Sequence, residues 1–460
     1  MESTSIIVGL GRSGIAVAKL LQEEGRKAII IEKKASSEYH SLAKKLDKEK
    51  ITIKLGKKLE INTFTPWMNK ISSVIISPGI DWHHPTLNIL RDKGILVESE
   101  VSFAWKRLSH IPWIGITGTN GKTTVTHLIH HILKRNGITA PMCGNMGYPV
   151  SSIALDLKQN SYKTPDYLIV ELSSYQIESS EDIAPLIGIW TSLSPDHLER
   201  HKHFTLYKAI KKSLLDKSKI RILNSNDKEI DNTRESFKDG IWINSQSPQG
   251  NDYWINQSGI VIGLGAKLFN SSVLNMLGEH NLQNLLLATA AARHIGISAD
   301  RIQKSITSFP GIPHRLEKIA DLSGVAIIND SKATNYHAAI TGMRAIPKPS
   351  IILAGGQLKE GDPSSWVDQV KTSAIGAVLF GAGAKILEEK LKEADFNGYL
   401  STYEDLRQAT LAGLKLAKTT GAKSIVLSPA SASFDQYKDF EERGNHFRSI
   451  IKEILNQGNK

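Results

Sequence analysis

Two glycine-rich stretches, each placed where a short apolar run gives way to an amphipathic one, have the residue types to handle phosphate. The first is Gly9-Leu10-Gly11-Arg12-Ser13-Gly14, after Ile6-Ile7-Val8 and before the helix-like Ile15 to Leu21. Its first glycine permits a tight turn, its second lets backbone approach a diphosphate, and the helix that follows offers its positive end. Glu32 closes the next apolar run, where a carboxylate would meet a ribose hydroxyl. From the residues alone, the plain reading is a Rossmann dinucleotide-cofactor site, the alternative a turn that merely packs helix on strand. The second stretch, Gly118-Thr119-Asn120-Gly121-Lys122-Thr123-Thr124, lies between Trp113 to Ile116 and Val125 to Leu133. Its Gly-Lys-Thr core supplies backbone amides around phosphates, an ammonium for the β/γ oxygens and a hydroxyl for Mg²⁺. Ile116 stands where a strict Walker loop has its first glycine, with Gly115 and Gly118 on either side. A dehydrogenase explains the first loop only and a simple ATPase the second only. An enzyme holding one diphosphate-linked substrate and one ATP explains both.

Each loop needs a strand to end on and a helix to begin, and the rest of the chain repeats that pattern. Short apolar runs alternate with amphipathic stretches, the signature of parallel α/β units. At roughly 100–200 residues per domain, 460 residues predict three domains. The first block contains Ile6 to Val8, Ala28 to Glu32 and Val74 to Gly79 and ends near Trp105. The second opens at Trp113, carries Tyr167 to Glu171 and Ile187 to Trp190, and closes on a helix over 281–295. Pro310-Gly311-Ile312-Pro313 then breaks the pattern, as turn clusters do at domain boundaries. The third block has apolar runs at 325–328, 351–353, 377–380 and 424–427, whereas the polar stretch 244–258 reads as an exposed excursion. The expected architecture is α/β in three domains, 1–105, 106–310 and 311–460. Each is a mainly parallel sheet flanked by helices: Rossmann-like, P-loop ATPase-like and Rossmann-like in turn.

Composition removes several classes. With 40% hydrophobic and 22% charged residues, disorder is excluded as the main state. No apolar stretch approaches the ~20 residues that cross a bilayer, and the start lacks the basic and apolar regions of a secretory leader. A cytoplasmic chain without a membrane span is therefore expected. The single cysteine, Cys143, excludes an intramolecular disulfide and a Cys-based zinc cluster. A net charge of +11 invites a nucleic-acid reading, but it is spread as +4, +5 and +2 over the three blocks. The one dense basic run, Lys208, Lys211, Lys212, Lys217, Lys219 and Arg221, carries no interleaved aromatic residue, which speaks against nucleic acid.

Ile116-Thr117-Gly118-Thr119-Asn120-Gly121-Lys122-Thr123-Thr124, Glu171-Leu172-Ser173-Ser174-Tyr175-Gln176 and Asp196-His197-Leu198-Glu199-Arg200 together resemble the Mur ligase family, which makes amide bonds on UDP-linked cell-wall precursors. The run Ser428 to Tyr437 with Phe440 and Arg443-Gly444, the Gly9 to Gly14 loop and Ser77-Pro78-Gly79 are similar to its D-glutamate-adding branch. The matches span the whole chain in order. The resemblance implies an ATP-dependent ligase in peptidoglycan synthesis, acting through an acyl phosphate, with UDP-N-acetylmuramoyl-L-alanine, D-glutamate and ATP as partners. It implies no nucleic acid and a monomer.

What the family does is carried here by position. Lys122, Glu171, His197 and Lys211 are the implied catalytic set. Thr123 and Glu171 would hold one Mg²⁺ and His197 a second. A family lysine carbamylated by CO₂ lies in a Tyr-x-x-x-Lys pattern that Tyr207 to Lys211 matches; a carbamate turns an ammonium into an anion that Mg²⁺ accepts. The adjacent Lys212 stays open as the alternative. For ATP the implied residues are Gly118, Thr119, Asn120, Gly121, Lys122, Thr123 and Thr124, with Asn281 and Asn284 near adenine and Arg315 and Asp330 from the third domain. For the UDP-linked substrate they are Gly9, Gly11, Arg12, Ser13, Gly14, Glu32, Lys33, Ser77, Pro78, Gly79, Asn145, Ser173 and Gln176. D-glutamate has two carboxylates and needs cations and donors, for which Thr334, Lys359, Ser433 and the backbone of Phe440 are implied, with Lys332 nearer the phosphates. Gln357-Leu358-Lys359-Glu360 departs from the family pattern, which carries an Asp beside this lysine in many members, and leaves the orientation of Lys359 open. Rival readings are a related amide ligase with another acceptor and, from a different class, a nicotinamide-dependent oxidoreductase using Gly9 to Gly14 and Glu32.

Overall fold

Runs of Ile and Val separated by helix-forming stretches dictate layers of sheet and helix. The computed structural model describes residues 3–49, 51–161, 163–276, 278–358 and 361–458 and contains three sheets. In the first, β1 (Thr4–Val8), β2 (Lys27–Ile31), β3 (Thr52–Lys54), β4 (Ile71–Ile76) and β5 (Leu96–Ser99) are parallel and ordered β3-β2-β1-β4-β5. Ile6 and Ile7 are fully buried on opposite faces, in two separate apolar clusters, so β1 reads as an unbroken apolar run rather than an alternating one. Strand order reverses between β1 and β4. The loops after these two strands, which carry Gly9 to Gly14 and Ser77 to Gly79, therefore open into one crevice.

The second sheet is built on β6 (Trp113–Thr117), β7 (Met142–Gly144), β8 (Leu168–Glu171), β9 (Ile187–Trp190), β10 (Ile220–Asn224) and β11 (Ile241–Asn244). β12 (Tyr253–Ile255), β13 (Ile260–Gly263) and β14 (Ala266–Asn270) extend it as an antiparallel meander. The order is β14-β13-β12-β11-β10-β9-β6-β8-β7. With β6 flanked by β8 and β9, the loops after these three strands meet at a second reversal. The stretch 244–258 is not simply an excursion: Tyr253 and Ile255 are buried in β12. Its polarity misled because the polar groups satisfy one another; Asn251 Oδ1 accepts from Ser225 and Arg234, and Asn244 Nδ2 donates to Ser225 Oγ.

The first two sheets share a core. Helix Arg12–Glu23 packs on helix Val150–Lys158, and Val17 and Leu21 join Val150 and Ile153 in one cluster. Residues through Leu274, with Leu282–Phe309, form one compact unit; Asn275–Asn281 and Pro310–Lys460 form the second. The second unit holds β15 (Glu317–Leu322), β16 (Val325–Asn329), β17 (Ser350–Gly355), β18 (Ala374–Phe380), β19 (Tyr399–Tyr403) and β20 (Ser424–Leu427), in the order β15-β16-β20-β17-β18-β19 with β15 alone antiparallel. The loops after β16, β20 and β17 thus lie side by side. Cys143 is buried in β7, its thiol directed at the Ile169 carbonyl at 3.8 Å and its pKa pushed up by burial. Among the described residues, no helix is long and apolar enough to cross a membrane.

Candidate active site

The phosphate loop leaves β6 through backbone that only glycine tolerates. Gly118 has φ +149°, and a Cβ there would stand 2.0 Å from Thr191 Oγ1 and 2.9 Å from the Ser192 nitrogen. Gly121, at φ +83°, caps the helix Lys122–Arg135, and its Cβ would meet Asn284 Oδ1 at 2.7 Å. Lys122 Nζ donates to the carbonyls of Gly118 (2.7 Å) and Thr119 (2.9 Å), which folds the ammonium over the loop. Thr119 Oγ1 bonds Tyr207 Oη at 3.1 Å and the Ser194 carbonyl at 3.1 Å. Asn120 is held through its N–H to Ser192 Oγ at 2.8 Å, and Thr124 is buried.

At the end of β8, Glu171 is 3% exposed and accepts on both oxygens: Thr123 Oγ1 donates to Oε2 and Asn145 Nδ2 to Oε1, each at 3.0 Å. Thr123, Glu171 and Asn145 therefore form one row along the phosphate loop. Lys211, on helix Phe204–Lys217, reaches the same loop, donating to the Gly118 carbonyl at 3.0 Å and Thr117 Oγ1 at 3.4 Å. Burial, and then the Lys122 charge, hold its pKa well below the usual lysine range against the opposing pull of Asp196 and Glu171. Lys212 points elsewhere: it pairs with Asp216 at 2.7 Å and lies over the Phe237 ring.

His197 precedes the four-residue helix Leu198–His201 in left-handed backbone, φ 53°. Its ring is half-exposed, with Asp196 and Glu199 oxygens at 3.5 Å and the Tyr175 ring centroid at 5.2 Å. It makes no hydrogen bond to Glu171 or Lys211. Among the described residues, no three His, Cys, Asp or Glu side chains converge as a ready metal cluster; the donors that do converge are a hydroxyl, a carboxylate and an amide.

In the first crevice, the Gly9 carbonyl would lie 2.1 Å from a Cβ at Gly14, and Gly9 itself has φ +106° with Ser77 Oγ 2.7 Å from its would-be Cβ. The two loops are thus in contact, and Ser77 N–H donates to the Val8 carbonyl at 3.0 Å. Glu32 accepts from the N–H groups of Leu10 (2.9 Å) and Lys34 (2.8 Å), so it rigidifies the turn. Arg12 Nη1 donates to the Gly147 carbonyl at 2.9 Å, while Gly11, Lys33 and Gly79 are exposed and Ser13 and Pro78 half-buried. Ser173 and Gln176 form a capping box on helix Ser174–Glu178, which commits the Gln176 side-chain carbonyl to that helix. Asn281 and Asn284 are buried on helix His280–His294.

In the second unit, Asp330 follows β16, accepts from the Leu316 N–H at 3.2 Å and from Ser428 Oγ at 3.3 Å, and is pushed up to about 7 by burial, against Leu316, Arg315 and Ser428. Lys332 Nζ lies 5.6 Å from the Phe440 ring centroid. Thr334 is half-buried and Ser433 buried, and the Ser433 carbonyl accepts from Gln436 and Tyr437. Phe440 opens helix Phe440–Gly458; its carbonyl is taken by Ser331 Oγ at 2.8 Å, while its N–H belongs to the first turn, which has no intrahelical partner. Lys359 and Glu360 lie outside the described residues.

Three side chains at these sites lay outside the expected set. Arg443, buried to 1%, donates to the carbonyls of Ser331, Ser431 and Ala432 and to Ser331 Oγ. His201, buried between the Tyr175 and Tyr207 rings, bonds Ser174 Oγ at 2.9 Å and is lowered to about 4 by burial. Arg200 joins Asp81 to Glu178. Arg443 and Arg200 each stood inside a run that carried the resemblance, beside Phe440 and His197; nothing in the pattern marked His201.

The sequence matches the model of the Mur ligase middle domain over residues 116–292 and that of the MurD-like N-terminal domain of Mur ligases over 3–99. It is 49% identical to the UDP-N-acetylmuramoylalanine--D-glutamate ligase of Prochlorococcus marinus (strain MIT 9313), over 98% of this chain and 99% of that one. It is 46% identical to the protein of the same name from Synechococcus sp. (strain CC9902), over 99% of each. Among solved structures, the UDP-N-acetylmuramate-alanine ligase of Thermotoga maritima superposes with TM-score 0.59 at 16% identity, covering all of both chains. A folylpolyglutamate synthase of Mycobacterium tuberculosis gives 0.57 at 14%, over 76% of this chain and 94% of that one. At those identities the likeness is one of fold.

Proposed function

The chain belongs to the Mur ligase family, and from that premise we propose that it is the ligase of peptidoglycan precursor synthesis that joins D-glutamate to UDP-N-acetylmuramoyl-L-alanine, driven by ATP. The observation that carries this reading is identity of 46–49% along nearly the whole length to ligases named for that reaction. The domains divide the work: 1–105 takes the UDP-linked substrate, 106–310 ATP, and 311–460 D-glutamate while completing the ATP site. The protein works in the cytoplasm as a monomer.

A carboxylate is a poor electrophile, so one of its oxygens first attacks the γ-phosphorus, ADP leaves, and an acyl phosphate results. The D-glutamate amine then adds to the carbonyl carbon, loses a proton, and the tetrahedral intermediate expels phosphate. No protein nucleophile is needed; the residues position the reactants and neutralise charge. Backbone amides of Gly118 to Thr124 cradle the phosphates, and Lys122 swings from the loop carbonyls to the β/γ oxygens. The Thr123 hydroxyl and the Glu171 carboxylate, already 3.0 Å apart, are oxygen donors that fit Mg²⁺, which when bound neutralises the phosphate oxygens. Lys211 is the second donor after modification. Its lowered pKa favours the neutral amine, which would bond to the carbon of CO₂ and release a proton, giving a carbamate; with His197 this group would hold a second ion. Asn145, Ser173 and Gln176 border the muramoyl end, and Asn281, Asn284, Arg315 and Asp330 the nucleotide. Thr334, Ser433, the Phe440 N–H and Lys359 receive D-glutamate, with Lys332 beside the phosphates.

Phosphate release is expected only when UDP-N-acetylmuramoyl-L-alanine, D-glutamate and ATP are all present. A screen of other amino acids that found a better acceptor would replace D-glutamate in this reading, and ATP-independent NADH consumption would overturn it.

A further inference from the structure

The helix Leu198–His201 is a single turn bounded by two residues with positive φ, His197 at φ 53° in the left-handed helical region and Lys202 at φ 62° outside it. One isolated turn has too few hydrogen bonds to hold its own shape, and left-handed backbone at non-glycine residues adds strain. The orientation of His197 must therefore be set from outside. Two anchors do this. His201 is buried between Tyr175 and Tyr207 and bonded to Ser174, which fixes the turn to the second sheet. Arg200 ties it to the first, where Nη1 donates to Asp81 Oδ1 at 2.6 Å, while Nη2 donates to Glu178 Oε2, on the helix after β8, at 3.0 Å.

Asp81 lies two residues beyond Gly79, in the segment that leaves the first crevice. The oxygen that receives Arg200 also receives the His83 N–H at 2.9 Å, and His83 Nε2 stands 3.5 Å from Glu178 Oε1. His84 caps the next helix, and Arg91 lies over Trp82 with Cζ 4.1 Å from the ring centroid. The segment after Ser77 to Gly79 is thus folded around one carboxylate that is shared with the His197 turn. Arg200 is mostly buried and the Glu178 side chain is 8% exposed, so this is a charge-assisted fork in a partly desolvated place.

Resting on the functional reading above, we propose that Arg200 is a positioning residue: it couples the seating of the UDP-linked substrate in the first crevice to the placement of His197. Arg200→Ala is expected to raise KM for UDP-N-acetylmuramoyl-L-alanine and the Mg²⁺ requirement by about tenfold, the weight of one charge-assisted bond, with KM for ATP within about twofold. Arg200→Lys, one point charge that cannot fork, should recover part of the loss. Asp81→Asn, which keeps the side chain's size and an acceptor for the His83 N–H but removes the charge that Arg200 meets, should give the same pattern, and the double variant should lose no more than Arg200→Ala alone. Hydrogen exchange is the readout that needs no catalysis: amides 197–203 should exchange faster in both variants, with 122–135 unchanged. Unchanged exchange at 197–203, additive effects in the double variant, or KM values that rise equally for every substrate would overturn the coupling. Faster exchange in a protein whose unmodified form makes no amide would retain the tie and reject the ligase reading.

Discussion

One long basic side chain in each unit is buried to 1% exposure: Lys211 beside the phosphate loop, and Arg443 beneath the loop after β20. Among the described residues, neither has a carboxylate in hydrogen-bonding contact. Arg443 spreads its charge over a planar fork whose donors meet three carbonyls and a hydroxyl at 2.9–3.1 Å, and although burial pulls it down to about 10 it stays protonated at neutral pH. Lys211 concentrates its charge on one nitrogen, which meets one carbonyl at 3.0 Å and one hydroxyl at 3.4 Å beneath a second ammonium. A guanidinium is weakly hydrated and geometrically matched to several acceptors, whereas an ammonium gives up strong hydration and sheds its proton when that loss is not replaced. The same degree of burial is therefore met by a fork of four acceptors in one unit and by a lowered lysine pKa in the other.

The strongest test of this contrast is Lys211→Ala, expected to lower turnover by roughly a thousandfold, the scale of losing an electrostatic contact to a reacting phosphate. Added short carboxylic acids should restore part of it by supplying the missing anion. Lys211→Met should be as inactive yet unfold at a higher temperature, because the folded state no longer has to bury an amine whose charged form burial disfavours. Arg443→Ala should leave Lys211 chemistry intact in principle but loosen its own unit by about 4 kcal/mol, since several buried acceptors at ~1–3 kcal/mol each lose their donor. Exchange of amides in β16, β17 and β20 would report it, and a neutral result would mean that water replaces the fork.

Asp330, next to Ser331 of that fork, sharpens the contrast through pH. Its folded pKa of about 7 lies above the 3.8 of an unperturbed Asp, so the folded state binds the extra proton and stability from this group falls as pH rises from about 4 through 7. Asp330→Asn should remove that slope in urea titrations, matching the unmodified protein near pH 4 and exceeding it above pH 8. Lys212→Ala is the smallest effect: it removes an exposed i,i+4 pair with Asp216, worth about 0.5 kcal/mol or less. Activity lost there, with Lys211→Ala intact, would exchange the roles of the two lysines.

Much of this was legible because its cause is local. Gly118 and Gly121 announce the phosphate loop since no other residue fits the positive φ and close approach found there, and β1, β6 and β20 read as strands because burial on both faces demands continuous apolar runs. The edge strands were hidden for the converse reason. β15 (Glu-Lys-Ile-Ala-Asp-Leu) and β19 (Tyr-Leu-Ser-Thr-Tyr) are half-exposed and carry little apolar signal, and β12 sits in a polar stretch whose side chains bond one another. The burial of Arg443 depends on carbonyls released by a loop, and the anchoring of His201 and Arg200 on residues 27 and 119 positions away. Pairings of that range leave no periodic mark.

The buried thiol in β7 has a practical consequence. Cys143 is the chain's one cysteine, shielded from solvent and held in the protonated, unreactive form. Any cysteine introduced on an exposed position, such as Tyr399 or Leu411, becomes the sole site for a maleimide dye or spin label without first mutating the native residue. Pairs of such probes, one in each unit, turn the protein into its own ruler during turnover.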